Sequence, residues 1–188
     1  MKRFALVLTL ACVVGALATP AAHAEPKLGL ESIGATIGMV SPENLGSTFG
    51  LGAFAHLGTI MPDLALETRI DFWSKSENSF GFETSVSDIT LGARVKYMFA
   101  LEGTPIRPFA GGGLGLHFLH TAATIPPFFG GPALSTSGSD TRLGLDLGGG
   151  FNAPVSPRSD LVGEAWYGVV SDFSQLALRV GLSYKLGS

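Results

Sequence analysis

The sequence predicts an all-β fold, an eight-stranded antiparallel up-and-down transmembrane β-barrel, and three observations predict it. Eight segments alternate with a period of two, twelve charges spread over six of them share one side, and no apolar run after the leader reaches the roughly 18 uninterrupted residues that a membrane helix needs. Hydrophobic residues make up 46% of the chain and charged ones only 14%, so a strongly apolar chain without a helical span points to strands. The 26 glycines and 11 prolines, both poor in helix interiors and scattered through the alternating segments, argue the same way.

The first residues set the compartment. Met1-Lys2-Arg3 supplies a positive start, Phe4 to Leu17 an apolar stretch and Ala22-His23-Ala24 a small-residue cleavage site, so residues 1–24 read as a signal peptide cut after Ala24 and 25–188 as one barrel domain. Ala11-Cys12 invites a lipoprotein reading, but Thr9 and Leu10 fit that signal poorly. Cys12 is the single cysteine and leaves with the leader, which excludes a disulfide framework and a thiolate site in the exported chain. Loss of Lys2 and Arg3 takes Lys+Arg from 12 to 10 against 15 Asp+Glu, a formal charge of −5, and nucleic acid is not an expected partner.

The expected strands run Gly29 to Val40, Thr48 to Gly58, Asp63 to Trp73, Ser85 to Phe99, Ile106 to Leu119, Thr141 to Asn152, Asp160 to Val170 and Ser174 to Leu186. Each is long enough to cross a bilayer when tilted. The first presents Ile33, Ala35, Ile37 and Met39 on one face, the second Phe49, Leu51, Ala53, Ala55 and Leu57, and the third Leu64, Leu66, Thr68, Ile70 and Phe72. The fourth carries Ile89, Leu91, Ala93, Val95, Tyr97 and Phe99 there, and the fifth Ala110, Gly112, Leu114, Leu116 and Phe118. The last three follow with Leu143, Leu145, Leu147, Gly149 and Phe151; Leu161, Gly163, Ala165, Tyr167 and Val169; and Leu176, Leu178, Val180, Leu182, Tyr184 and Leu186.

The opposite face holds Glu67, Arg69, Asp71, Asp88, Arg94, Lys96, Arg107, Arg142, Asp146, Glu164, Arg179 and Lys185 among glycine, serine and threonine. Six strands carry these charges, and with each register chosen freely the coincidence has a chance of about one in 64. A soluble sandwich also segregates its faces, with the apolar one inward. Aromatics near strand ends (Phe72, Tyr97, Phe99, Phe151, Tyr167, Tyr184) suit an interfacial girdle and favour the membrane solution. So do the links: the outer ones, Ser41 to Ser47, Ser74 to Thr84 and His120 to Asp140, are mostly long and suit external loops, whereas Thr59 to Pro62, Ala100 to Pro105 and Ala153 to Ser159 are short or tight, as periplasmic turns are. Ser171 to Phe173 is the short exception among the outer links.

The sequence resembles the small eight-stranded outer-membrane barrels of the OmpA and OmpX type, over essentially the whole exported chain. The resemblance rests on strand number and alternation, on Pro108-Phe109-Ala110-Gly111-Gly112-Gly113-Leu114-Gly115-Leu116, on Gly163-Glu164-Ala165-Trp166-Tyr167 and on Leu178-Arg179-Val180-Gly181-Leu182-Ser183-Tyr184. It implies Sec export to the outer membrane, contact with outer-membrane lipids, lipopolysaccharide and the outer-membrane assembly machinery, and a monomer. The ending Leu186-Gly187-Ser188 departs from the terminal aromatic usual in such barrels.

Eight strands enclose a space that side chains fill, so the twelve charges are expected to form a lumen network and not an open general pore. Pairing of Glu67 or Asp71 with Arg94 or Lys96 across neighbouring strands is the specific expectation. Inward Gly111, Gly113, Gly115, Gly144, Gly148 and Gly150 would leave room for arginines opposite. No metal or cofactor is expected: His23 leaves with the leader, and His56, His117 and His120 have no Cys, Asp or Glu at ligand spacing. Catalysis is not expected either, since neither His117 nor His120 begins the His-x-Ser motif of the lipid A deacylases, although Ser135, Ser137 and Ser139 lie nearby. Phe128 and Phe129, between prolines in the third outer link, are the expected loop contact. The function expected is structural or surface-interaction; the alternatives are a lipid A-modifying outer-membrane enzyme and a soluble periplasmic ligand-binding β-barrel.

Overall fold

Eight strands of 12 to 23 residues form, with period-two alternation across the middle of each. They are β1 (Lys27–Pro42), β2 (Thr48–Met61), β3 (Leu64–Ser79), β4 (Phe82–Met98), β5 (Arg107–Ile125), β6 (Leu134–Ser156), β7 (Ser159–Val170) and β8 (Phe173–Lys185). The computed structural model describes residues 26–79, 82–125, 134–171 and 173–187. The expected leader and the expected loop contact at Phe128 and Phe129 lie outside them.

Every strand pairs antiparallel with its sequence neighbour, and β1 pairs with β8 from Ser32↔Lys185 to Pro42↔Gln175, closing the ring. Closure leaves no strand edge, the condition a sheet must meet in hydrocarbon, where no water can satisfy open N–H and C=O groups. The predicted strands are all present, but two outer links are shorter than the sequence suggested. The β3–β4 ladder continues from Trp73↔Asp88 to Ser79↔Phe82, and the β5–β6 ladder from Leu119↔Asp140 to Ile125↔Leu134. Most of the expected loops 74–84 and 120–140 are therefore hairpin extensions. At the terminus end, the β2–β3 turn is only Pro62-Asp63: proline pre-sets its own φ and Asp63 takes the left-handed φ of 62°.

The two faces of the wall separate as the parity requires. Leu51, Leu91, Leu114, Leu143, Leu145, Leu147, Val169, Leu178, Val180 and Leu182 are all exposed on the outside, as are Tyr97, Phe151, Tyr167 and Tyr184. The inside holds the charges together with Phe54, Trp73, Phe109, Val162 and Trp166. An exposed belt of this size over a charged, buried interior is the inverse of a soluble protein, and lipid is the solvent that suits it.

Candidate functional site

Because side chains on a strand alternate, Glu67, Arg69 and Asp71 on β3 point into the same space as Arg94 and Lys96 on β4, Asp146 on β6, Glu164 on β7 and Arg179 on β8. Arg69 grips Asp71 with both ends of its fork, Nε to Oδ2 at 2.7 Å and Nη2 to Oδ1 at 2.9 Å. Its Nη1 reaches Glu67 at 3.4 Å, and its Nη2 lies 3.0 Å from Glu164. Arg179 donates to Asp71 from the far side of the lumen, Lys96 donates to Glu67, and Lys96 Nζ lies 3.7 Å from Glu164. Arg94 donates to Asp146 Oδ2 from Nε at 3.1 Å and Nη2 at 2.7 Å.

Aromatic rings complete this layer. The Arg94 guanidinium sits 4.0 Å over the Trp166 ring, and Lys96 Nζ lies 4.6 Å from the Phe109 ring and 5.6 Å from Phe54. Trp166 Nε1 donates to Glu164 at 3.0 Å. The sequence reading passed over these rings, yet they were legible by parity: Trp166 lies two residues from Glu164, and Phe109 two from Arg107. The inward glycines make room for them as well as for an arginine. A Cβ at Gly148 would lie 2.7 Å from Trp166 and one at Gly150 2.8 Å from Phe109, whereas Gly113 faces the Arg94 stem.

Nine of the twelve expected network residues are buried together, namely Glu67, Arg69, Asp71, Asp88, Arg94, Lys96, Asp146, Glu164 and Arg179. Arg107, Arg142 and Lys185 are not among them. They share the inward parity but stand at the rims, where Lys185 meets Asp160 at 2.7 Å, Arg107 approaches Asp63 at 3.9 Å and Arg142 holds Asp140 at 2.8 Å. Parity fixes the face, not the depth. The Arg142 hydrogen bond keeps the exposed Asp140 carboxyl below its ordinary value. Of the expected cross-strand pairs, Glu67 with Lys96 is present and the Asp71 alternative is not. Glu67 sits opposite Arg94 in register but bonds the diagonal Lys96, and Asp71 is taken by Arg69 and Arg179.

Asp88 has a histidine partner that sequence spacing did not reveal. His117 on β5 brings Nδ1 to 2.7 Å from Asp88 Oδ2 and to 3.0 Å from Thr90 Oγ1, with both members of the pair fully buried. The partners come from neighbouring strands, so no interval along the chain announces them. No group of three His, Cys, Asp or Glu residues is arranged to hold a metal among the described residues. His120 Nδ1 lies 3.0 Å from Ser139 Oγ on the exposed β5–β6 extension.

Open cavities lie at both ends of the barrel. The one at the terminus end, about 980 Å³, is lined by His56, Asp63, Arg107, Arg158, Asp160 and Lys185. The other, about 540 Å³, is lined by Leu45, Trp73, Val86, Leu119, Arg142 and Phe173. Between them the charged layer leaves an internal void of about 10 Å³.

Residues 9–185 match the model of the outer membrane protein beta-barrel domain. The chain belongs to that family. Among solved structures, the Neisserial surface protein A is 20% identical and aligns over 82% of this chain and 96% of its own with a TM-score of 0.58. A major outer membrane protein from Thermus thermophilus is 18% identical over 82% and 98%, with a TM-score of 0.59. Ail, the attachment invasion locus protein of Yersinia pestis, crystallised with the heparin analogue sucrose octasulfate, is 16% identical over 85% and 100%, with a TM-score of 0.57. No curated protein matches the sequence. At these identities the likeness is one of fold.

Proposed function

We propose that the chain is exported by Sec, is cut after Ala24, and serves in the outer membrane as a closed barrel with a structural or surface-interaction role, neither a general pore nor an enzyme. The observation that carries this reading is the filled lumen. Nine buried charges and three buried rings stand between the two end cavities, and the void left among them is about the size of one water. The charges serve to fill and cross-link the barrel: each stave that contributes one is tied to another by an ion pair that would be costly to break. With both termini periplasmic, the β3–β4 and β5–β6 extensions stand clear of the apolar belt on the outer surface, where they meet lipopolysaccharide and whatever approaches the cell.

The lipid-modifying alternative gains little from the one serine-histidine contact. Ser139 and His120 meet on an exposed ladder, and the neighbouring acid, Asp140, is held by Arg142. Such a site lacks the buried, oriented third group that activates a serine nucleophile. The test is planar-bilayer conductance of the refolded protein. The proposal expects no steady ohmic channel in the wild type and the appearance of conductance when Arg94 and Asp146 are both replaced by serine. A stable open channel in the wild type would overturn it.

A further inference from the structure

We propose that the void at the centre of the lumen is a binding site for one internal water molecule, held by Arg94 of β4, His117 of β5, and Gln175 and Arg179 of β8. The inference rests on the enclosed lumen proposed above. Two independent observations meet at this point. One is the cavity itself, about 10 Å³ and lined by these four residues with Asp71, Thr90, Asp146, Trp166, Gly168 and Ala177. That volume matches one probe sphere, the least that holds a water. The other is that each of the four carries a buried polar atom with no protein partner: Arg94 Nη1, Arg179 Nε, His117 Nε2 and Gln175 Oε1. All four side chains are at least nine-tenths buried. A buried polar group left unpaired is costly, so four on residues that line one void constitute a strong demand for a common partner.

The chemistry of the four selects water over an ion. His117 Nδ1 faces Asp88 Oδ2 at 2.7 Å and the Thr90 hydroxyl at 3.0 Å, and that hydroxyl lies 3.2 Å from the same carboxylate oxygen. The carboxylate accepts, so Nδ1 carries a proton, and the proposal assigns the tautomer in which Nε2 is an acceptor. The set is then two donors, from Arg94 and Arg179, and two acceptors, Nε2 and Gln175 Oε1. A water molecule offers the complement, accepting two hydrogen bonds and donating two. An anion would leave the acceptors unmet and would face Asp71 and Asp146; a cation would face two guanidinium groups. Glycine keeps the space open. A Cβ at Gly168 would lie 2.9 Å from Asp146 Oδ1 and 3.4 Å from Gln175 Cγ. Since β4 and β5 lie across the ring from β8, the water ties opposite sides of the barrel together.

The experiment uses the full refolded barrel in detergent and has two readouts. Oxygen-17 magnetic relaxation dispersion counts waters that stay bound longer than the barrel tumbles, and the expected result is one fewer in both Gln175→Leu and Gly168→Ala than in the wild type. Nitrogen-15 NMR of the wild-type His117 ring, which needs no variant to fold, should show Nδ1 protonated and Nε2 bare. An equal water count in the folded variants, or a protonated Nε2, would overturn the inference. A conducting wild-type barrel would instead defeat the sealed-lumen reading, so the two failures are told apart.

Discussion

A single arginine placed at Leu145 measures how firmly the outer face is committed to hydrocarbon. Leu145 lies between Leu143 and Leu147 on β6, pairs with Leu114 on β5 and Val169 on β7, and is 56% exposed, so every neighbour on its face is an apolar side chain turned outward. A lipid-facing arginine costs about 2–4 kcal/mol at the bilayer midplane and only about 0–1 kcal/mol near an interface. At about 1.36 kcal/mol per decade, Leu145→Arg should lower the folded-to-unfolded ratio by roughly 30- to 900-fold. Val155 is the depth control, 60% exposed and further along the same strand toward the terminus end, and Val155→Arg should shift the ratio by less than about tenfold. The assay is reversible guanidinium unfolding in phosphatidylcholine vesicles, read by tryptophan fluorescence and by heat-modifiable gel migration. Equal costs at the two positions, or a cost below about 1 kcal/mol at Leu145, would refute the assignment of this face to lipid.

Three further outcomes follow from the lumen. Lys96→Met takes from fully buried Glu67 its lysine partner, leaving it Arg69 at 3.4 Å, and should cost up to about 3–5 kcal/mol in the same unfolding assay, whereas Lys185→Met, whose pair with Asp160 is half exposed, should cost under about 1 kcal/mol. Gly148→Val pushes a branched side chain against the Trp166 ring and should destabilise by about 1–3 kcal/mol or abolish folding, while Gly138→Val, which meets nothing within 4 Å, should fold normally as judged by heat-modifiability. Both tryptophans, Trp73 and Trp166, are buried inside the wall, so their emission should resist quenching by acrylamide and by brominated lipids alike; efficient quenching by the lipids would place the rings on the outer face.

The sequence made the strands and their faces legible because a barrel in lipid leaves each strand two chemically opposite environments, and β6 alternates Leu143, Leu145 and Leu147 against Gly144, Asp146 and Gly148 without exception. Outside the belt that contrast vanishes. In Lys75, Ser76, Glu77 and Asn78 both parities are polar, so the β3–β4 extension carries no periodic signal, and the same holds for Ser135 to Ser139 on β6. The interior was legible as a set but not as a wiring diagram. Long side chains reach diagonally and across the lumen, so Lys96 passes over its register neighbour to Glu67, and Arg179 finds Asp71 from β8. Asp88 and His117 meet only because β4 and β5 are adjacent, at a sequence separation that no local motif spans.

The central claim, that leucines meet hydrocarbon while carboxylates and guanidinium groups are enclosed, is tested most directly by a spin-label scan of residues 143–148. The one native cysteine is Cys12, ahead of β1, so with Cys12 replaced by serine single cysteines can be placed along β6 without interference. In lipid vesicles, nitroxides at 143, 145 and 147 should collide readily with oxygen and hardly at all with a water-soluble nickel reagent, while those at 144, 146 and 148 should be immobile and shielded from both. Nickel access at the odd positions together with oxygen access at the even ones would contradict the account.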